Sequence, residues 1–332
     1  MKVLVTGATG FIGSELTRFL SSQGHSVRAM CRSKSNIDVL SNDSVQVCWG
    51  NVLDSSSVKK AVDGCDCVFH LAAYAKNWAK DSRTFFEVNV TGTKNVLDAS
   101  RQAKVKKVVV TSSAVTFGPS NGVSVKESDK RTAEFFTEYE RNKFYAEELV
   151  TDHAGNGLPV VIVNPTRVFG PGLLTEGNSA TTMTQQYLEG KWRLILGDGS
   201  SVGNYASVED VVRGHWLALL HGRPGEKYIL GGENLSYNEF FRVLAKISRK
   251  RYQMIHVPVW AALAISNVVE LRARWFGYYP LITPPWVRTF IADWAFSSEK
   301  AQRELGYTIT PFRKVLQKTV LWLNQISNKS GR

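Results

Sequence analysis

Cysteine is scarce in this chain, and what there is lies badly for cross-linking. The four cysteines, Cys31, Cys48, Cys65 and Cys67, contain no Cys-x-x-Cys pair. That excludes a small disulfide-stapled scaffold and a structural zinc site of the usual spacing. A reducing compartment fits, and the cytoplasm is the expected location. Proline and glycine are modest, at 10 and 26 residues, which excludes collagen-like, low-complexity and disordered classes. Apolar runs are short. The opening Met-Lys-Val-Leu-Val-Thr-Gly is too brief for a signal-peptide core and reads as a strand entering a turn, not as a targeting segment. Acidic residues are few towards the C-terminus: residues 242–332 carry 15 Lys and Arg against 4 Asp and Glu, or +11 of the net +12. An anionic membrane surface, an acidic substrate or solvent alone would suit such a face, and nucleic acid is not the expected partner.

What is present is an ordinary globular composition, 43% hydrophobic and 21% charged, on a chain long enough for two domains or one large unit with a lobe. The first 165 residues repeat one pattern. Short β-branched runs at Lys2–Val5, Ser26–Met30, Val45–Trp49, Cys67–Leu71, Lys107–Thr111 and Val160–Val163 alternate with longer amphipathic stretches. Helices are expected at Gly13–Ser22, Ser55–Val62, Arg83–Gln102 and around Tyr139–His153. Six strands separated by helices predict an α/β fold, a doubly wound parallel sheet covered on both faces. After Pro165 the pattern changes to Gly- and Pro-rich turns with scattered aromatics, which predicts a smaller lobe. There Ser236-x-x-Glu239 ahead of Phe240, Phe241, Val243 and Leu244 reads as a capping box, and Ser298–Leu305 as a helix stopped by Gly306.

The strand Val3–Val5 runs into Thr6-Gly7-Ala8-Thr9-Gly10-Phe11-Ile12-Gly13 and then into a helix carrying Leu16, Phe19 and Leu20. In that context Gly7 permits a tight turn, Gly10 lets the backbone approach a pyrophosphate, and Gly13 lets helix pack closely on strand. The helix N-terminus adds free N–H groups and the positive end of its dipole. The Gly-x-x-Gly-x-x-Gly spacing, early in a chain of this length, resembles the extended branch of the short-chain dehydrogenase/reductase superfamily. The resemblance implies a Rossmann-type NADP-binding domain over 1–168 with a return segment near 203–220. A substrate-binding lobe would occupy 169–332. Cofactor contacts are implied from Gly7, Thr9, Gly10, Phe11, Ile12 and Gly13.

A dinucleotide fold places an acidic residue at the end of its second strand to hold the ribose hydroxyls. Here that strand ends Ala29-Met30-Cys31-Arg32-Ser33-Lys34, with no carboxylate before Asp38. A guanidinium pairs with a 2′-phosphate through two N–H groups, so Arg32, with Lys34, points to NADP(H) over NAD(H); solvated charges at a strand end are the plain alternative. Gly50-Asn51-Val52 resembles the family's adenine-contact segment, with Asn51 where Asp is usual. His70-Leu71-Ala72-Ala73 resembles the segment beside the cofactor, which brings Leu71, Ala72 and Ala73 to it and leaves His70 in the core.

Tyr139-Glu140-Arg141-Asn142-Lys143 sets a phenol and an ammonium on one helical face. The cation would pull the phenol down from about 10 and make it a general acid. Chance supplies roughly one such pair in a chain of this composition, and Tyr187-x-x-x-Lys191 is a second copy. Position favours the first, because Tyr139 follows Thr111-Ser112-Ser113-Ala114, which resembles the superfamily's serine-bearing strand end. The resemblance makes Tyr139 the proton donor, Lys143 its tuner and a nicotinamide-ribose contact, and Ser113 the hydrogen-bond donor to the developing alkoxide. It gives Asn89 a structural or water-holding role, and Pro165 and Val168 a place beside the nicotinamide. Tyr205–Val211 resembles a segment tying the lobes together, with Asp210 structural. No metal site is expected.

The group most resembled is that of dihydroflavonol reductases and 3β-hydroxysteroid dehydrogenases, which implies an apolar ketone or secondary alcohol as substrate. A nucleotide-sugar epimerase or reductase and a non-catalytic NADP(H) sensor are the alternatives. Residues 258–279 run from an apolar helix begun at Pro258 into the basic aromatic stretch Arg272, Arg274, Trp275, Phe276, Tyr278 and Tyr279. A pocket wall, a peripheral membrane contact and a buried helix all accommodate it. A homodimer is common in the group.

Overall fold

The computed structural model describes residues 1–40, 44–175 and 177–330. Val-rich runs form strands buried on both faces, with Val3, Leu4, Val5 and the whole of Val160–Val163 without exposed surface, as a helix-covered parallel sheet requires. Strands β1 (Lys2–Thr6), β2 (Ser26–Cys31), β3 (Val45–Trp49), β4 (Cys67–His70), β5 (Lys107–Thr111) and β6 (Val160–Pro165) match the expected runs to within two residues. They are followed by β7 (Arg167–Phe169), β8 (Leu194–Leu196), β9 (Val202–Ser207), β10 (Lys227–Leu230), β11 (Glu233–Ser236) and β12 (Ile255–Val257). The helices begin with α1 (Phe11–Ser22), α2 (Ser55–Val62), α3 (Arg83–Phe86), α4 (Gly92–Gln102), α5 (Glu138–Gly155) and α6 (Ser179–Leu188). Then come α7 (Val208–His221), α8 (Tyr237–Ser248), α9 (Val259–Phe276), α10 (Pro284–Ile291), α11 (Glu299–Leu305) and α12 (Phe312–Ser330).

The central sheet is parallel and has seven strands, in the order β10-β6-β5-β4-β1-β2-β3, not the six expected. The seventh, β10, pairs from Lys227 with Ile162 to Leu230 with Pro165. Its four-residue run lies far beyond the alternating region, and the chain reaches it only after α7 has come back over β5 and β6. One face is packed by α1, α7 and α11 and the other by α2, α4 and α5, each pair of layers closing its own apolar cluster. Strand order reverses between β1 and β4. The crevice outside the carboxyl ends of the strands at such a point is where ligands of doubly wound sheets bind.

The expected single helix Arg83–Gln102 is interrupted. A π-helical turn, Glu87–Thr91, separates α3 from α4, and it carries Asn89; such turns concentrate at functional sites. A third apolar cluster joins Phe169, Tyr187, Tyr205, Phe240 and Phe312 between α6, α8, α12 and β9, and the capping box at Ser236 and Glu239 forms on both sides. Helix α9 runs on to Phe276, and the buried-helix reading of 258–279 does not hold. Only Ala262, Ser266 and Ala273 of α9 are buried, a stripe of small side chains too thin to hide its other faces.

Asp210 on α7, 1% exposed, accepts hydrogen bonds from Thr310 N at 2.7 Å and Thr310 Oγ1 at 2.8 Å, and pairs with Arg213. It thereby pins the segment ahead of α12 onto the sheet-covering helix. Asp210→Ala should lower the unfolding free energy by roughly 2–4 kcal/mol, because two donors lose a charged acceptor. A shift under about 0.5 kcal/mol in a denaturant titration would contradict that role.

Candidate active site

The turn after β1 is built for close backbone approach. Gly7 has φ +69°, and a Cβ there would sit 2.7 Å from Ala72 N; one on Gly13 would meet the Gly7 carbonyl oxygen at 2.1 Å. A side chain at either position would push α1 or the loop after β4 away. Gly10 caps α1 with no side-chain hydrogen bond and no acidic residue in the first turn, so the N–H groups of Phe11, Ile12 and Gly13 stay available beside Thr9. Ala72 N donates to Thr6 Oγ1 at 3.2 Å, holding Leu71, Ala72 and Ala73 alongside. Gly172, at φ +138°, lies against Phe11 and Glu15, which brings the loop after β7 to the same helix end. These features fit a dinucleotide whose pyrophosphate rests on the α1 terminus.

Arg32 and Lys34 follow β2, both exposed, and no carboxylate pairs with either among the described residues. Asn51 is exposed and turns its Oδ1 back to Leu53 N at 3.2 Å, keeping its amide nitrogen free. Val52 is buried, with its carbonyl accepting from Asn95 Nδ2 at 2.8 Å. Pro165 ends β6, and Val168 lies in β7 opposite Ala206.

Tyr139, Lys143 and Ser113 come together at the carboxyl edge of β5. Thr137 caps α5 by accepting from Glu140 N, and Glu140 forms a buried ion pair with Arg131 at 2.8 Å. Arg131 also donates to Val115 O and Ala133 O, clamping the loop that carries Ser113 to the start of the helix that carries Tyr139. The Ser113 side chain lies close enough to the Tyr139 phenol to bear on its ionisation, while among the described residues Ser112 Oγ is buried without a partner. Part of the Tyr139 ring stays accessible, but burial pushes the phenol up to about 12, against the lowering by Ser113 and with help from Glu140 and Glu147. Contrary to the expected lowering, Lys143 is not among the influences on the phenol; its Nζ donates to Thr111 O at 2.7 Å. Burial brings the Lys143 ammonium down to about 8, with Glu147 opposing. Tyr187 is in the apolar cluster, its hydroxyl donating to Lys250 O.

Asn89 is spoken for by the backbone. Its Oδ1 accepts from Tyr74 N at 2.8 Å and its Nδ2 donates to Tyr74 O at 3.4 Å, so it fixes the loop leaving Ala73. His70 bridges Thr6 and Thr93 at 2.8 and 3.0 Å; burial first, then Lys143, brings it down to about 3, and it stays neutral. No group of three metal-ligating side chains occurs among the described residues.

Sequence reasoning missed Glu147. One turn beyond Lys143 and 2% exposed, it accepts from Asn164 Nδ2 at 2.6 Å and Lys227 Nζ at 2.7 Å. The Thr116 hydroxyl lies 2.9 Å from Glu147 Oε1 and from the Ser113 carbonyl oxygen, to which Asn164 also donates at 3.1 Å. A carboxylate thus holds the Ser113 backbone through two intermediaries. A glutamate followed by a second glutamate on a helix looks like solvated surface, and only the fold reveals otherwise.

Residues 3–231 match the model of the NAD dependent epimerase/dehydratase family. The chain belongs to that family. A Synechocystis protein assigned as a dihydroflavonol 4-reductase is 30% identical over 324 residues, 96% of this chain and 93% of that one. The 3 beta-hydroxysteroid dehydrogenase/Delta 5→4-isomerase of Mycobacterium tuberculosis is 29% identical over 92% of this chain and 85% of its own. UDP-glucose 4-epimerase of Thermotoga maritima, at 23% identity, superposes with a TM-score of 0.83 over 98% of this chain and 100% of that one, a likeness of fold. The family is NAD-dependent, and these two relatives are named a reductase and a dehydrogenase. This member of the extended short-chain dehydrogenase/reductase superfamily is an oxidoreductase.

A site in which Tyr139 gave the proton and Lys143 supplied the charge would need the phenol protonated and the ammonium charged. Tyr139 meets its condition up to about 12 and Lys143 only below about 8, so kcat/KM for the cofactor, which reports the free enzyme, should be level at lower pH and fall above about 8. Because Glu147 raises Lys143, Glu147→Gln should move that break to lower pH. An unmoved break would separate Glu147 from the site.

Proposed function

We propose that the protein interconverts a ketone and a secondary alcohol on a fairly apolar small molecule, using NADP(H). The observation that carries this reading is the convergence of Ser113, the Tyr139 phenol and Lys143 at the edge of β5, with Lys143 one turn along α5. Bound cofactor supplies the hydride in reduction and accepts it in oxidation. Tyr139 gives its proton to the carbonyl oxygen in reduction and recovers it in oxidation, and burial keeps it loaded. Ser113 donates to the same oxygen, where negative charge develops. Lys143, whose Nζ is held at Thr111 O, would contact the nicotinamide ribose when the cofactor is bound. Asn89 acts as a positioning residue through Tyr74.

NADP(H) is favoured by Arg32 and Lys34, exposed and without acidic partners, where NAD-binding folds carry a carboxylate. In this reading residues 1–168 with the return near 203–220 hold the cofactor and 169–332 the substrate, although β10 carries the sheet beyond that return. Tyr139→Phe should bind NADPH like the wild type and lose turnover by a factor of about 10³ or more, and both proteins should bind NADPH at least about tenfold tighter than NADH. Retained turnover would remove the acid; equal affinities would remove the cofactor preference.

A second surface supports peripheral membrane contact by a cytoplasmic protein. Opposite its buried stripe, α9 exposes Trp260, Ile265, Val268, Leu271, Trp275 and Phe276, the two tryptophans at 74% and 76%. Arg272 and Arg274 flank the stripe, and Tyr279 is the member of 258–279 that lines the cavity between α6 and α10, so the pocket-wall reading covers little of it. Tryptophans at both ends of an apolar face beside arginines suit an interfacial helix. No helix of the described residues is long and apolar enough to cross a membrane. The protein should co-sediment with anionic vesicles at low salt, and Trp275→Glu should weaken this severalfold. A concentration-dependent dimer without vesicle binding would assign the face to a second copy instead.

A further inference from the structure

A cavity of about 260 Å³ is walled by Arg167, Trp192, Tyr205, Tyr237, Trp286 and Phe290. It adjoins the proposed cofactor loops on two sides. Arg167 is the neighbour of Val168 in β7, and Asn77, four residues past Ala73, also lines the cavity. Its walls are aromatic, with Tyr237 stacked on Phe290 at 4.9 Å and Trp286 on Phe290 at 4.2 Å between ring centres.

Asn77, Ser179 and Thr182 add neutral polar groups to the lining, and its charged residue is a cation. The Arg167 guanidinium lies 5.4 Å from the ring centres of both Tyr237 and Phe290 and 5.9 Å from that of Tyr205. It donates to the Tyr237 hydroxyl, and no carboxylate pairs with it among the described residues. An enclosed cation without a counter-charge is costly. The Trp192 indole nitrogen and the Tyr205 hydroxyl are buried with no hydrogen-bond partner. More than about nine in ten buried polar groups are satisfied in native proteins, so two orphans and an uncompensated guanidinium on one cavity mark a place for an acceptor. The indole and the guanidinium can only donate, and the tyrosine hydroxyl can.

We infer that this cavity binds a carboxylate carried on a flat apolar body, which makes the substrate of the proposed reaction a keto or hydroxy acid with an aromatic or similarly planar group. The ring faces supply the apolar contact and Arg167 the charge-assisted hydrogen bonds, in the two-pronged geometry a carboxylate accepts. The volume lies just under the roughly 300–1,000 Å³ of drug-sized sites, which suits one ring and an acid and not a nucleoside diphosphate sugar. The carbonyl half of this statement rests on the proposed function; the anion half rests on the cavity alone.

The test uses 3-phenylpropanoate and 3-phenylpropanamide, an acid and its neutral isostere, titrated at pH 7 against the full chain by calorimetry and by quenching of tryptophan fluorescence, to which Trp192 and Trp286 contribute. The wild type should bind the acid at least tenfold more tightly than the amide, and Arg167→Met should bring the two together. Arg167→Lys, which keeps the charge if the methionine variant fails to fold, should retain part of the difference. Equal affinities in the wild type, or no binding of either to millimolar concentration, would overturn the inference. Tyr139→Phe should keep the full acid preference. Retained turnover in Tyr139→Phe, with that preference intact, would contradict the proposed reaction and leave the acid pocket standing.

Discussion

A carboxylate removed from water has to be surrounded by donors and counter-charge, and the demand of Glu147 organises this site. Lys227 reaches it from β10, Asn164 from β6 and Thr116 from the turn after β5, so three segments distant in sequence are drawn onto one helix. Two of those donors also hold the Ser113 carbonyl. The same charge sits one turn from Lys143 and keeps it from losing its proton altogether to burial. Breaking such a buried set by removing one member costs several kcal/mol, on the order of 3–5, which is why the serine, the phenol and the ammonium keep their relative places.

The cofactor side is organised by an absence of side chains. The Gly7 carbonyl, the Gly13 backbone and the loop leaving β4 approach more closely than any Cβ allows, and the result is an uncapped helix end facing the crevice where strand order reverses. Where the backbone crowds, the charged groups withdraw: α1 has no acid in its first turn, and the end of β2 presents Arg32 and Lys34 to solvent. Both arrangements favour a polyanion. The cavity proposed for the substrate is the opposite, aromatic and holding a cation, Arg167, that pairs with no carboxylate among the described residues.

Much of this was legible in the residues. Alternating Val-rich runs located six strands of the central sheet, because a strand buried on both faces has to be apolar throughout, and the spacing of Gly7, Gly10 and Gly13 located the crevice. Position distinguished Tyr139 from Tyr187, whose ring is packed among Phe241 and Tyr252. What was not legible depends on partners far away in sequence. The strand Lys227–Leu230 is an ordinary tetrapeptide until α7 delivers it to β6. The π-helical turn at Asn89 leaves no periodic trace over five residues. The direction of the Lys143 side chain is set by the Thr111 carbonyl, which no spacing rule contains. Nothing in the sequence singled out Glu147 or Arg167, because burial of a charge is a property of the fold. The apolar side of α9 was visible as composition, but whether it faced in or out was not.

In the proposed site the phenol of Tyr139, beside Ser113, faces the hydride-carrying ring of a bound coenzyme. A crystal structure of the chain with NADPH measures this directly. The account predicts the nicotinamide between the Tyr139 hydroxyl and the β7 segment at Val168, the pyrophosphate on the α1 terminus and the 2′-phosphate at Arg32. A nicotinamide ring bound away from Tyr139, with the phenol facing only protein, would contradict it.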